Sequence, residues 1–176
     1  MAEIKYNWLV SEMDIASIYP DDSGYLFDSM VESMDCLFVI ETGNIEQLSK
    51  QLATYHSFTG RAAYHWHASS GIKRFDLQHI TLPNTQQLLD ALYHIANTNH
   101  FGIFLFTEFD KMLYSPMIRN VIEHFIESTK KHRKYIIFAD KNPMIPSEMS
   151  HLVQRLSFAD TETNQGPAIR TSYLYS

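Results

Sequence analysis

Residues 100–111, HFGIFLFTEFDK, limit the fold more than any other stretch. Residues 103–106 are an unbroken apolar run. The run is too short to span a membrane and too apolar for a half-exposed edge strand. It suits a strand buried on both faces, as in a parallel sheet covered by helices. Residues 36–40 and 135–139 repeat the pattern, and segments with helical spacing lie between these runs. Ile45, Leu48, Leu52 and Tyr55 form one apolar stripe behind Asn44 as N-cap. Leu88, Leu89, Leu92, Ile95 and Ala96 form a second, in a helix that starts at Pro83-Asn84-Thr85. Met117, Ile118, Val121, Ile122, Phe125 and Ile126 form a third behind Ser115-Pro116, where proline suits a first helical turn. Residues 62–68 (AAYHWHA) and 152–158 (LVQRLSF) supply two further strands, and residues 71–82 read as an irregular excursion with room for a short hairpin. Strands alternating with helices imply right-handed crossovers. The expected fold class is therefore α/β: a three-layer α/β/α sandwich around a mostly parallel five-stranded sheet.

Residues 1–35 read as an N-terminal arm or cap. They contain a turn at Tyr19-Pro20-Asp21-Asp22-Ser23-Gly24, then Tyr25, Leu26, Met30, Val31 and Met34 at helical spacing. Residues 36–160 form the domain, and 161–176 a polar tail ending in Tyr173-Leu174-Tyr175. A length of 176 residues suits one domain with a real core. The net charge of -6 opposes general nucleic-acid binding, which needs a positive excess. Cys36, the single cysteine, excludes an intrachain disulfide and fits a reducing compartment. The first residues carry acids and no long apolar core, so a signal peptide is not expected. The reading is a cytoplasmic protein without a membrane span.

Several pieces carry a resemblance by their order. They are residues 37–41, an apolar strand ending in an acid; Tyr64-His65-Trp66; residues 104–110; residues 135–139; and Pro143-Met144-Ile145-Pro146-Ser147-Glu148. From about Asp35 to Asp160 the chain resembles the AAA+ and RecA-like ATPase core. More narrowly, it is similar to the P-loop-less N-terminal domain that precedes the active ATPase domain in one group of AAA+ proteins. That resemblance implies a P-loop NTPase-like topology without a working nucleotide site.

The turn after the first strand bears on this directly. A phosphate loop, G-x-x-x-x-G-K-[ST], wraps phosphates in backbone N–H groups and neutralises them with lysine. Here the turn reads ETGNIEQLSK: only Gly43 is present, Gln47 or Leu48 takes the second glycine's place, and Ser49-Lys50 falls inside the helix. At the second acidic motif a carboxylate that holds magnesium should follow the apolar strand. Thr107 comes first instead, and Glu108 and Asp110 share a side only if the chain stays extended. Asn142 lies where AAA+ proteins place a polar sensor and reads as a turn residue. Gly43, Asn44, Glu108, Asp110 and Asn142 are thus vestigial positions, with no catalytic residue, metal or cofactor expected.

Other groupings read as structural first. His65 and His67 project to one face of a strand, and a metal would need a third ligand, for which His56, His79 and His94 are candidates. Cys36 starts a buried strand, where a thiol is inert. Residues 130–134, KKHRK, sit at a helix end favoured by the backbone dipole and read as solvated. Met112, Leu113, Tyr114 and Met117 suit either the core or an adaptable contact surface. The leading expectation is a non-catalytic adaptor or regulatory module that contacts a protein partner, an AAA+ ATPase or a second copy of itself. Two alternatives stand beside it: an enzyme or metal-binding domain using Glu108, Asp110 and the histidines, and a nucleic-acid accessory protein using residues 130–134.

Overall fold

Side chains that alternate along doubly buried strands build two cores at once. The structure, a computed structural model, describes residues 23–158. Helix α1 (Ser23–Glu32) is followed by β1 (Leu37–Glu41), α2 (Ile45–Thr59), β2 (Ala63–His67), β3 (Gly71–Arg74), α3 (Leu88–Asn97) and β4 (Gly102–Phe106). A 3-10 turn (Asp110–Tyr114), α4 (Pro116–Thr129), β5 (Lys134–Asp140), a second 3-10 turn (Ser147–Leu152) and β6 (Gln154–Ser157) complete the order. The strands form one sheet in the order β3-β2-β4-β5-β1-β6. All neighbours pair in parallel except β3, which runs antiparallel to β2.

The sheet has six strands, not the five expected from sequence. The sixth is β3, in the segment read as an excursion with room for a hairpin. Thr85 secures it. Its buried hydroxyl accepts the Ile72 N–H at 2.9 Å, and its carbonyl accepts the Trp66 indole N–H at 2.7 Å. Gly71 makes the turn with φ +83, where a Cβ would also lie 2.5 Å from the Thr85 hydroxyl. Because Thr85 is committed to this hairpin, and Asn84 is left-handed with φ 56, α3 begins at Leu88 and not at residues 83–85. The last strand is also shorter than expected, since the 3-10 turn runs to Leu152.

Helices α3 and α4 pack over Leu37, Val39, Trp66, Phe104, Phe106, Ile136 and Phe138. On the other face α1 and α2 pack over Phe38, Ile40, Ala63, Ile103, Leu105, Tyr135, Ile137 and Ala139. Helix α1 thus contributes Phe27, Met30 and Val31 to the core. Its Asp28 accepts hydrogen bonds from the Tyr55 hydroxyl and from Arg61, each at 2.8 Å, which fixes α1 to α2 and to the approach to β2.

Residues 130–133 of the basic run are exposed, as a solvated helix end should be, and Lys134 alone is buried. Lys134 opens the central strand β5, and it and Arg133, the residue just before it, turn to opposite faces. Lys134 is 1% exposed, and its ammonium donates to the carbonyls of Ile95 and Ala96 at 2.9 Å and of Thr98 at 3.0 Å. It therefore satisfies the orphan carbonyls at the end of α3. Its ammonium also stands 5.9 Å from the Phe125 ring centre. Burial pushes its pKa down, while three carbonyls favour the charged form. On the other face, Arg133 and the Tyr135 hydroxyl both donate to the Val31 carbonyl near the end of α1, at 2.9 and 2.8 Å.

Replacing Lys134 by Met should leave the Ala96 and Thr98 carbonyls without this donor, while the Ile95 carbonyl keeps the Thr98 N–H, and should cost about 3 kcal/mol, against less than about 0.5 kcal/mol for Lys131→Met at an exposed site. Urea unfolding of the two variants measures the difference.

Candidate functional site

Five parallel strands bring their carboxyl ends to one edge, where α/β folds usually hold ligands. β1 and β5 are neighbours, and the chain leaves β1 across one face and β5 across the other. In such a sheet a crevice opens between them. Here the ladder runs on past the strand ends, because the Thr42 N–H donates to the Asp140 carbonyl at 3.0 Å.

Only Thr42, Gly43 and Asn44 separate β1 from α2. The Asn44 N–H donates to the Thr42 hydroxyl at 3.0 Å, and the Asn44 side-chain oxygen accepts the Gln47 N–H at 2.9 Å. The Asn44 side-chain N–H also donates to Gln47 Oε1 at 3.3 Å. The N-cap expected from sequence is present, and it occupies a helix-start N–H group that an anion would use. Gly43 is exposed and lies outside the left-handed region, which among the described glycines is used by Gly60 and Gly71.

Beyond β4, Thr107 is buried and its hydroxyl lies 3.1 Å from His65 Nε2. Glu108 is exposed and left-handed, with φ 60. Phe109 is 1% exposed, with its ring centre 4.9 Å from that of Phe138. Asp110 opens the 3-10 turn. The chain therefore does not stay extended, and the condition for Glu108 and Asp110 to share a side is not met. The contact of Thr107 with His65 and the burial of Phe109 were missed by sequence reasoning. The one signal was Phe109 itself, a large apolar residue standing between two acids. Asn142 is an exposed turn residue whose N–H donates to Asp140 Oδ1 at 2.9 Å.

The His65 and His67 rings lie 3.9 Å apart, and His65 stacks on Phe75 at 5.9 Å. Burial, assisted by the neighbouring His67, pushes His65 down to about 4. The candidate third ligands do not join the pair: among the described residues no group of three histidine, cysteine or acidic side chains converges. His56 Nδ1 donates to the Arg61 carbonyl at 2.8 Å, His79 is exposed after β3, and His94 sits on α3 in the other helical layer. Cys36 is half-buried, and burial pushes its thiol up, as an inert thiol requires.

Next to this edge, the candidate contact residues divide. Leu113 is 1% exposed and belongs to the core, which removes it from any contact surface. Met112, Tyr114 and Met117 are 44%, 53% and 60% exposed. Tyr114 also lines a hollow of about 180 Å³, together with Pro116, Arg119, Pro146 and Glu148.

A family model described as SpoVK-like AAA ATPase, N-terminal domain, matches residues 25–158, from within α1 to just past β6. The chain belongs to the SpoVK-like AAA ATPase N-terminal domain family. No curated protein and no solved structure matches it. The carboxyl edge of this α/β scaffold is lined by contacts within the domain itself. No helix among the described residues is long and apolar enough to cross a membrane.

His65 carries a pH prediction. Its folded pKa, about 4, lies below the ordinary histidine value near 6.5, so between these values the unfolded chain binds more protons. Stability should fall as pH drops from about 6.5 to 4, by up to about 3 kcal/mol from this group. His65→Phe should flatten that part of the curve. Equal slopes for both proteins, by urea unfolding at stepped pH, would contradict it.

Proposed function

We propose that this SpoVK-like domain is a non-catalytic adaptor or regulatory module that binds protein, and that its partner is an AAA ATPase module, joined in the same polypeptide or separate, or a second copy of itself. The observation that carries the reading is the self-satisfied carboxyl edge. The Asn44 cap occupies the phosphate end of α2. Thr107, tied to His65, stands where a magnesium carboxylate would follow β4. Phe109 fills the space behind it.

The family description supports association with an ATPase. Met112, Tyr114 and Met117 supply a means, since three large apolar side chains within six residues are exposed, and Tyr114 lines a hollow that Arg119 and Glu148 also bound. We assign the contact to this surface. Domain limits of 36–160, with residues 1–35 as an arm or cap whose helix α1 packs on the domain, and 161–176 as a tail, belong to the same proposal.

Affinity capture of the intact protein from its own cells tests the reading, with wild type and a Tyr114→Glu/Met117→Glu variant side by side. Wild type should retain an AAA ATPase or a second copy. The variant should lose at least about tenfold of that capture, because charge buried in an apolar contact is costly. Its unfolding free energy should stay within about 0.5 kcal/mol of wild type. Equal capture by both proteins would remove the surface from the account.

A further inference from the structure

The amino edge of the sheet carries a second surface. Where β1 and β5 begin side by side, a hollow of about 380 Å³ opens between the ends of α1 and α4. Its wall includes Lys130, Lys131, Arg133 and Lys134, against one acid, Asp35. These cations are not equally free. The Lys134 ammonium is taken up by the carbonyls at the end of α3, and Lys130 pairs with Glu127 at 2.7 Å. Lys131 is exposed and has no ion pair among the described residues. Arg133 is exposed too. Its Nη1 donates to the Val31 carbonyl at 2.9 Å and to the Tyr135 hydroxyl at 3.4 Å, while Nε and Nη2 have no partner among the described residues. Met34 also lines the hollow and is 93% exposed.

We propose that this hollow docks an acidic segment of a protein partner, with carboxylates on Arg133 and Lys131 and an apolar side chain against Met34. The free edge of Arg133, Nε with Nη2, is the edge that takes a carboxylate through two parallel bonds. Arg74 uses the same edge within this domain to grip Asp76, at 2.6 Å for each bond. Because Nη1 is anchored to Val31 and Tyr135, the free edge of Arg133 is held in place before any ligand arrives. Lys131 adds an unpaired charge beside it, in a chain whose net charge is -6. A nucleic-acid backbone fits this surface less well. It repeats its charge along its whole length, and Asp35 and Glu127 stand next to the cations, so a short acidic stretch is repelled least. The hollow lies at the opposite end of the strands from Met112, Tyr114 and Met117, so occupancy of one surface leaves the other open.

Fluorescence anisotropy of a labelled peptide, EELEE, titrated with the intact protein, tests it. At about 20 mM salt wild type should bind the peptide saturably with Kd below about 1 mM, and at least about threefold more weakly at about 150 mM salt. Lys131→Glu should weaken binding at least about fivefold. Arg133→Lys, which keeps the charge and a donor for Val31 but loses the free edge, should weaken it about threefold. Lys50→Glu makes the same charge change as Lys131→Glu at an exposed site on α2, and should stay within about twofold of wild type. The absence of saturable binding by wild type would overturn the proposal. Equal weakening by Lys131→Glu and Lys50→Glu would also overturn it, since net charge alone would then account for the binding. An oligothymidylate that binds more tightly than the peptide, and loses that binding in Lys131→Glu, would overturn it in favour of nucleic acid.

Discussion

Lys134 is the contact on which the two-sided architecture rests. A lysine with 1% of its surface exposed costs several kcal/mol unless its donors are met, and all three are met by the last carbonyls of α3 and the residue after it. The residue before it, Arg133, performs the corresponding task for α1 on the other face. Two adjacent residues at the start of the central strand therefore fix the ends of one helix in each layer. This is possible because strand side chains alternate. The charge is not decoration at a helix terminus: it sets where each layer begins relative to the sheet.

Fixing the layers at the amino edge leaves the carboxyl edge free of that demand. In this chain the polar groups at that edge are turned to one another. Asn44 caps α2, Thr42 bonds across to Asp140, Asn142 closes its own turn, and Thr107 meets His65. Phe109 adds apolar volume against Phe138. Each is a local satisfaction of a group that a ligand site would leave waiting. The proposed protein contact therefore rests on side chains that the fold leaves outside, above all Met112, Tyr114 and Met117.

Much of the fold was legible in the sequence because its signals are strong and local. The doubly apolar runs became β1, β4 and β5, and Asn44, Gly60 and Pro116 stand at helix ends as their chemistry dictates. What could not be read depends on tertiary partners. The start of α3 was displaced because Thr85 serves β2 and β3, a demand that arises from residues 13 and 19 positions away. The burial of Lys134 was hidden for the same reason: a cation beside a basic run looks solvated until the carbonyls of α3 are placed against it. At the edge itself, the mismatch with a nucleotide site was visible from Gly43 and Thr107. The Phe109–Phe138 and His65–Thr107 contacts were not, since they require β4 to lie between β5 and β2. Leu113 shows the limit of composition, because it shares a cluster with exposed methionines and yet points inward.

The central claim is that the phosphate and magnesium positions of this scaffold are occupied by the domain's own contacts. Calorimetric titration of the intact protein with ATP and magnesium measures this directly. The account predicts no saturable heat up to about 1 mM nucleotide. Saturable binding at micromolar concentration that disappears when magnesium is withheld would contradict it.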